Sequence, residues 1–316
     1  MELNLNLILS TAGLLMGVCA IITAFVLHAV RGERQRALIE AHLQTFLRNS
    51  EETLELSKKT LYEASQLTTG QEIRPELSTY LSNQWMFIEK TFHNRFEKHD
   101  ICRRIVTGFM KSGDTILLDS GSSVDLVTSE LLTSRFENVH VYSNNVFAAV
   151  HLVGTTRVTL TLFAGEFSDR FAATYSPEFN NRIRDLPIRV FVMAATAFRA
   201  EIGITVDEGD RDNADFKAAA LRAFSRGKSS RLIIAVDATK FVEPLGKHKP
   251  VVEQGEWQEM LVSHARRIAV VSSRMRPEAD PEDIVHFEQE VGRLRKKGIQ
   301  VDLGNGHHEQ LELRSE

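Results

Sequence analysis

Residues 119–123 read Asp-Ser-Gly-Ser-Ser, directly after the short apolar run TILL at 115–118 and directly before a helix-forming stretch that starts at Val124. A glycine and small hydroxyls between a strand and a helix N-terminus present backbone N–H groups and hydroxyl donors at the positive end of the helix. That chemistry cradles a phosphate or a carboxylate. The same residue types also make an ordinary capped turn, and the local sequence does not choose between the two.

Other chemistries find less support. Asp119, Glu166 and Asp237 are carboxylates of the kind a general acid or base would use, but such a group must sit beside its substrate. The 11 histidines show no metal-ligand spacing, and His307 and His308 fall in a polar C-terminal tail, so no metal or cofactor is expected. Asp207, Glu208, Asp210 and Asp212 form an acidic patch that reads as a solvated loop. With 38 Lys and Arg against 42 Asp and Glu, the net charge of −4 gives no bulk attraction to polyanions, and no nucleic-acid partner is expected. Of the two cysteines, Cys19 lies in an apolar run and Cys102 does not, which argues against a disulfide scaffold.

These residues need elements to hold them. A long amphipathic helical stretch covers 79–110. Apolar, β-branched runs then recur at 115–118, 139–145, 157–165, 188–195, 231–241 and 267–273, with helical stretches between most of them. Short buried runs alternating with crossover helices predict an α/β fold, an open, mostly parallel sheet with flanking helices. In such a sheet ligands bind outside the carboxyl ends of the strands, where several of the polar clusters fall.

The order of these clusters resembles the effector domain of DeoR-type regulators. DTILLDSGSS looks like that family's strand and Asp-x-Gly-Thr-Thr loop, and VYSNNVFAA resembles its Thr-Asn segment. LFAGEF is similar to its Gly-Gly loop, FRAEIGIT to the stretch ending in Gly and Thr, and ADFKAAALRAF to the helix after it. AVDATKF looks like the Asp-Ser-Ser-Lys-Phe segment, and RIAVVSS with GIQVDL resembles the terminal strand–helix–strand. The match runs in order over about 96–303.

The resemblance implies a fold shared with ribose-phosphate isomerases, glucosamine-phosphate deaminases and CoA transferases, binding a phosphorylated small molecule, sugar phosphate or nucleotide-like, and changing assembly. Asp119, Gly121, Ser122 and Ser123 would then hold the phosphate end, Ser143, Asn144 and Gly165 would line the adjacent wall, and Lys240 would supply a cation. Three features depart from the family, the first being that the segment SDRFAATYSPEFNN lacks the family's usual glycine. Ala164 replaces the first glycine of the Gly-Gly loop, and an apolar segment stands where the DNA-binding helix-turn-helix would be. The acidic run and Lys-Gly-rich loop of the isomerases are not visible, so binding is favoured over catalysis. A sugar-phosphate isomerase or deaminase, and a scaffold that has lost its pocket, remain the alternatives.

Residues 3–30 carry no charge, and the 24 residues 7–30 would span about 36 Å as a helix, enough for a lipid bilayer. Glu2 precedes this segment while Arg31, Arg34 and Arg36 follow it, which places the rest of the chain in the cytoplasm by the positive-inside rule. Gly13 and Gly17 give a G-x-x-x-G pair of the sort that lets membrane helices approach. The expected organisation is a transmembrane anchor at 1–30, a helical stalk at 31–78, the α/β domain at 79–304 and a polar tail at 305–316. The expected protein is a single-pass sensor in the bacterial inner membrane, a homo-oligomer of the kind found in bacterial stress or defence.

Overall fold

The computed structural model of the protein describes residues 94–152, 155–168 and 170–304. The anchor, the stalk, the first part of the 79–110 helix and the polar tail lie outside the described residues. Among those described, no helix is long and apolar enough to cross a membrane.

The first described helix, α1 (Arg95–Phe109), leads into β1 (Thr115–Leu118), α2 (Ser122–Thr133), β2 (Val139–Ser143), α3 (Val146–Leu152) and β3 (Val158–Leu162). A hairpin, β4 (Glu166–Ser168) and β5 (Ala173–Tyr175), and α4 (Phe179–Arg184) separate these from β6 (Val190–Met193). Then come β7 (Ala197–Arg199), β8 (Gly203–Asp207), α5 (Arg211–Arg226) and β9 (Arg231–Ala235). The described residues end with β10 (His248–Pro250), α6 (Gln254–His264), β11 (Ile268–Val271), α7 (Pro281–Lys296) and β12 (Gln300–Asp302).

Seven strands form one sheet in the order β12-β11-β9-β6-β1-β2-β3, and every pairing in it is parallel. Both faces are covered, which is why the strands read as continuous apolar runs. Side chains alternate between two cores. Leu117, Phe191, Leu232, Ile234 and Val270 join the cluster that also holds Phe224, Trp257 and Phe287. Ile116, Leu118, Val190, Val192 and Ile233 join the opposite cluster with Ile101, Ile105 and Val127 of α1 and α2. The α/β expectation is met, and the main sheet is wholly rather than mostly parallel.

Two small antiparallel sheets, β10-β8-β7 and β4-β5, were not foreseen. Their strands are three to five residues long, too short for a periodicity to show. The run at 231–241 also breaks earlier than expected. Asp237 accepts the Thr239 N–H and starts a 3-10 turn at Ala238–Phe241, so the strand stops at Ala235. Nor is the acidic patch merely solvated. Arg170 donates to both Asp207 and Asp210, and Asp210 is buried.

Candidate functional site

From β1 the chain steps outward through β2 to β3, then returns to β6 on the other side of β1 and steps away through β9, β11 and β12. The reversal puts the loop after β1 (119–121) beside the loop after β6 (194–196). This is a topological switch point, where open α/β sheets bind ligands.

The two loops are tied by a buried ion pair. Lys217 of α5 bonds the Asp119 carboxylate, and its Nζ also donates to the Ala194 carbonyl at 2.9 Å. The Ala194 N–H in turn donates to Asp119 Oδ2 at 3.1 Å. Burial pushes the Asp119 carboxyl up, while Lys217 and the N–H donors of Ala194 and Ser120 pull it back. A Cβ on Gly121 would lie 2.9 Å from the Ala194 Cβ, so only glycine lets the loops approach this closely.

Gly121 is also the N-cap residue of α2, and no side chain caps that helix. Gly121, Ser122 and residues 194–196 are half-buried, whereas Ser123 is buried. Lys98 reaches this helix start from α1 and donates to Ser122 Oγ at 3.1 Å. One turn further along α1, Cys102 donates to the Ser123 carbonyl at 2.7 Å. Burial pulls the Lys98 ammonium down to about 8, Asp237 opposes that fall and Lys240 adds to it. Lys240 therefore stands close to Lys98, on the half-buried turn after β9.

Beside the loop lies a buried polar cluster. Ser120 Oγ and the Tyr175 hydroxyl share a 3.0 Å hydrogen bond, and Asn144 Nδ2 approaches Ser120 Oγ at 3.5 Å. Burial raises the Tyr175 hydroxyl pKa, with the Ser120 bond opposing it. Asp119 Oδ1, Asn144 Oδ1 and Asp237 Oδ2 are buried acceptors without hydrogen-bond partners. They follow β1, β2 and β9, at the carboxyl ends of three strands of the sheet.

The expected site residues thus fall into different roles. Gly121, Ser122, Lys240 and Asn144 gather around the switch point. Asp119 is sealed beneath the loop rather than presented to a ligand. Ser143 is consumed by the fold, donating to the Leu118 carbonyl at 2.8 Å and accepting the Asn145 N–H at 3.0 Å. Gly165 is exposed in the turn between β3 and β4, with its backbone pressed on the Tyr175 carbonyl. Any Cβ there overlaps that carbonyl, so Gly165→Ala should lower stability by about 1–3 kcal/mol as an overpacked site. A urea melt of the variant checks this.

Two residues escaped the sequence reading, Lys98 and Lys217. Each stands on the buried stripe of its helix, Lys98 in phase with Ile101, Cys102 and Ile105, and Lys217 in phase with Asn213, Leu221 and Phe224. A lysine in that phase is the signal that would have found them.

The concavities that stand out among the described residues lie elsewhere. One of about 370 Å³ runs along α7 by Pro281, Val285 and His286. The other, of about 320 Å³, opens at the amino ends of the strands between Asp114, Arg189 and Arg231. A ligand at the switch point would lie over Gly121, Ser122 and residues 194–196 rather than in either.

The chain thus folds as an α/β domain with a parallel sheet, and a glycine–serine loop and buried lysines stand at its switch point. Residues 93–248 match the family model described as the DeoR C terminal sensor domain. No curated protein matches the chain. Among solved structures it is similar to ribose 5-phosphate isomerase from Plasmodium falciparum, at 16% identity over 45% of this chain and 51% of that one, TM-score 0.30. It is also similar to the translation initiation factor eIF-2B of Pyrococcus horikoshii OT3, at 12% identity over 47% and 49%, TM-score 0.33. A third, eIF2B beta from Chaetomium thermophilum, has 14% identity over 69% and 63%, TM-score 0.33. The chain spans about half the length of the first structures it matches.

Proposed function

We propose that the chain is a sensor of a phosphorylated small molecule, most simply a sugar phosphate. The observation that carries this reading is the start of α2, uncapped by any side chain and met by Lys98, beside buried acceptors that lack partners. The phosphate would take the helix N-terminus and its lysines, and the sugar hydroxyls would donate to Asn144 Oδ1 and its neighbours. Gly121, Ser122, Ser123 and Lys240 then serve the phosphate end.

Binding without turnover is favoured by what the carboxylates already do. Asp119 is locked to Lys217, Asp237 Oδ1 accepts from Asn94 and Thr239, and Glu166 is exposed in the β4–β5 hairpin. Neither Asp119 nor Glu166 is a free acid or base at the loop, and one oxygen of Asp237 is already committed. The output would be a change in homo-oligomeric state. It would pass through α1, whose first turn touches the loops after β1, β9 and β11 through Lys98–Ser122, Asn94–Asp237 and Glu97–Arg276. The apolar segment at 7–30 would hold this sensor at the cytoplasmic face of a membrane.

A thermal-shift series on the full-length chain with ribose 5-phosphate, deoxyribose 5-phosphate, glucosamine 6-phosphate and inorganic phosphate tests the reading. At 100 times its Kd a ligand should stabilise by about 2.7 kcal/mol. Ser122→Trp, which fills the space over the helix start, should abolish that stabilisation. A panel in which no compound shifts the transition overturns the sensor.

A further inference from the structure

We propose a second anion site at the opposite end of the sheet, taking a small molecule that carries a phosphate dianion. It occupies the concavity of about 320 Å³ at the amino ends of β1, β6 and β9. Lys111, Arg189 and Arg231 line it together with the buried Asp114, and Phe109 and Val190 give it an apolar wall. The switch-point reading uses the carboxyl ends of the strands, so the two sites are independent.

Topology, not sequence proximity, brings the three cations together. Lys111 follows the C-terminal end of α1, Arg189 immediately precedes β6, and Arg231 opens β9. β1, β6 and β9 lie side by side in the sheet. The Arg189 N–H donates to the Thr115 carbonyl at 2.8 Å, and the Arg231 N–H to the Arg189 carbonyl at 2.8 Å. Those bonds hold the three strand starts level, with both arginines exposed at the mouth.

The charges there do not balance. Asp114 is the one carboxylate among the lining residues, and it is 3% exposed. Its Oδ2 accepts the Lys111 N–H at 2.9 Å, and its Oδ1 lies 3.5 Å from Arg189 Nε. The side chains of Lys111 and Arg231 form no hydrogen bond or ion pair with any described residue. The carbonyl end of α1, at Gly108 and Phe109, adds about half a negative charge. Three cations therefore face about one and a half negative charges, and positive charge remains in excess.

A concavity with apolar walls screens that excess less than an open surface would. A phosphate dianion offsets it and gives the two unpaired cations a partner, with guanidinium forks suited to bidentate bonds. The volume is at the small end of ligand pockets, which run from about 300 to about 1,000 Å³. It has room for a phosphate and a compact body beside it, resting on Phe109 and Val190.

Isothermal titration of the full-length chain with pyrophosphate at pH 7.5, at fixed ionic strength, tests the site. Ser122→Trp fills the switch point, and this variant should still bind pyrophosphate at a single site. Adding Arg189→Met and Arg231→Met to it should weaken that binding at least about tenfold. Both arginines are exposed, so the fold should tolerate their loss. Adding Asp114→Asn instead removes the one carboxylate and should strengthen binding by about threefold or more.

Pyrophosphate binding that survives the paired arginine changes overturns the proposal, as does an absence of binding to Ser122→Trp. Weaker binding after Asp114→Asn does the same. None of these results touches the switch-point reading, which the sugar phosphates test on the wild type. Should Ser122→Trp fail to fold, Arg189→Met with Arg231→Met is compared with wild type, and an unchanged pyrophosphate isotherm sinks the site.

Discussion

Lys217→Met should destabilise the domain by about 3–5 kcal/mol, because it leaves one charge of a buried pair without its partner. Lys217 is 2% exposed and Asp119 is not exposed at all. The methionine fills most of the volume but supplies neither the ion pair nor the bond to the Ala194 carbonyl. Burial already raises the Asp119 carboxyl, and without Lys217 nothing of opposite charge restrains the rise. The sign for pH follows. A carboxyl whose folded pKa lies above its unfolded one binds more protons when folded, so stability declines as pH rises from the unfolded value to the folded one. The deficit of Lys217→Met against wild type should therefore be smallest in acid and reach its full size at neutral pH. Urea melts at pH 5 and pH 7.5 measure it. Adding Asp119→Asn removes the orphaned charge and should recover part of the loss, a coupling that separate contributions would not give. A deficit under about 1 kcal/mol, equal at both pH values, would show that the pair contributes little.

The architecture was largely legible because its determinants are local and repetitive. Runs such as TILL and IAVV are buried on both faces and can hardly be anything but inner strands of a parallel sheet. The loop at 119–121 was legible for the same reason, since a strand, a glycine and a helix start follow one another within ten residues. Roles within the site were less so. Asp119, Ser143 and Gly165 carry the residue types of ligand contacts, yet each is committed to a partner that only the folded chain brings near. Lys217 lies 98 residues from Asp119, and Tyr175 lies 55 from Ser120. No window of sequence contains such a pair. The small sheets were missed because β7 and β10 have three residues each, and what holds β7 is the packing of Phe198 against Trp257 of α6 rather than propensity.

That packing is concentrated in one side chain, and Trp257→Ala should cost about 3–5 kcal/mol. The indole is fully buried, packs edge-on to Phe198 at 6.2 Å and donates to the Ala200 carbonyl at 3.1 Å. Truncation opens a cavity and strands that carbonyl. Its flat face lies on Gly203, which has a φ of +85°, and where a Cβ would come within 2.7 Å of the ring. Gly203→Ala should therefore be destabilising for two reasons, overlap with the indole and a left-handed backbone. In the Trp257→Ala background only the second remains, so the double variant should be more stable than the sum of the single losses predicts, by about 1 kcal/mol or more. The effect should also reach the site. Phe198 meets Phe241 edge-on at 5.6 Å, and the next residue, Arg199, donates to the carbonyls of Lys240 at 3.1 Å and Glu243 at 2.7 Å. Loosening β7 frees the turn that carries Lys240, so Trp257→Ala should weaken ribose 5-phosphate binding at temperatures where the variant remains folded. Strict additivity in the cycle would mean that the ring and Gly203 are not in the contact on which both effects depend.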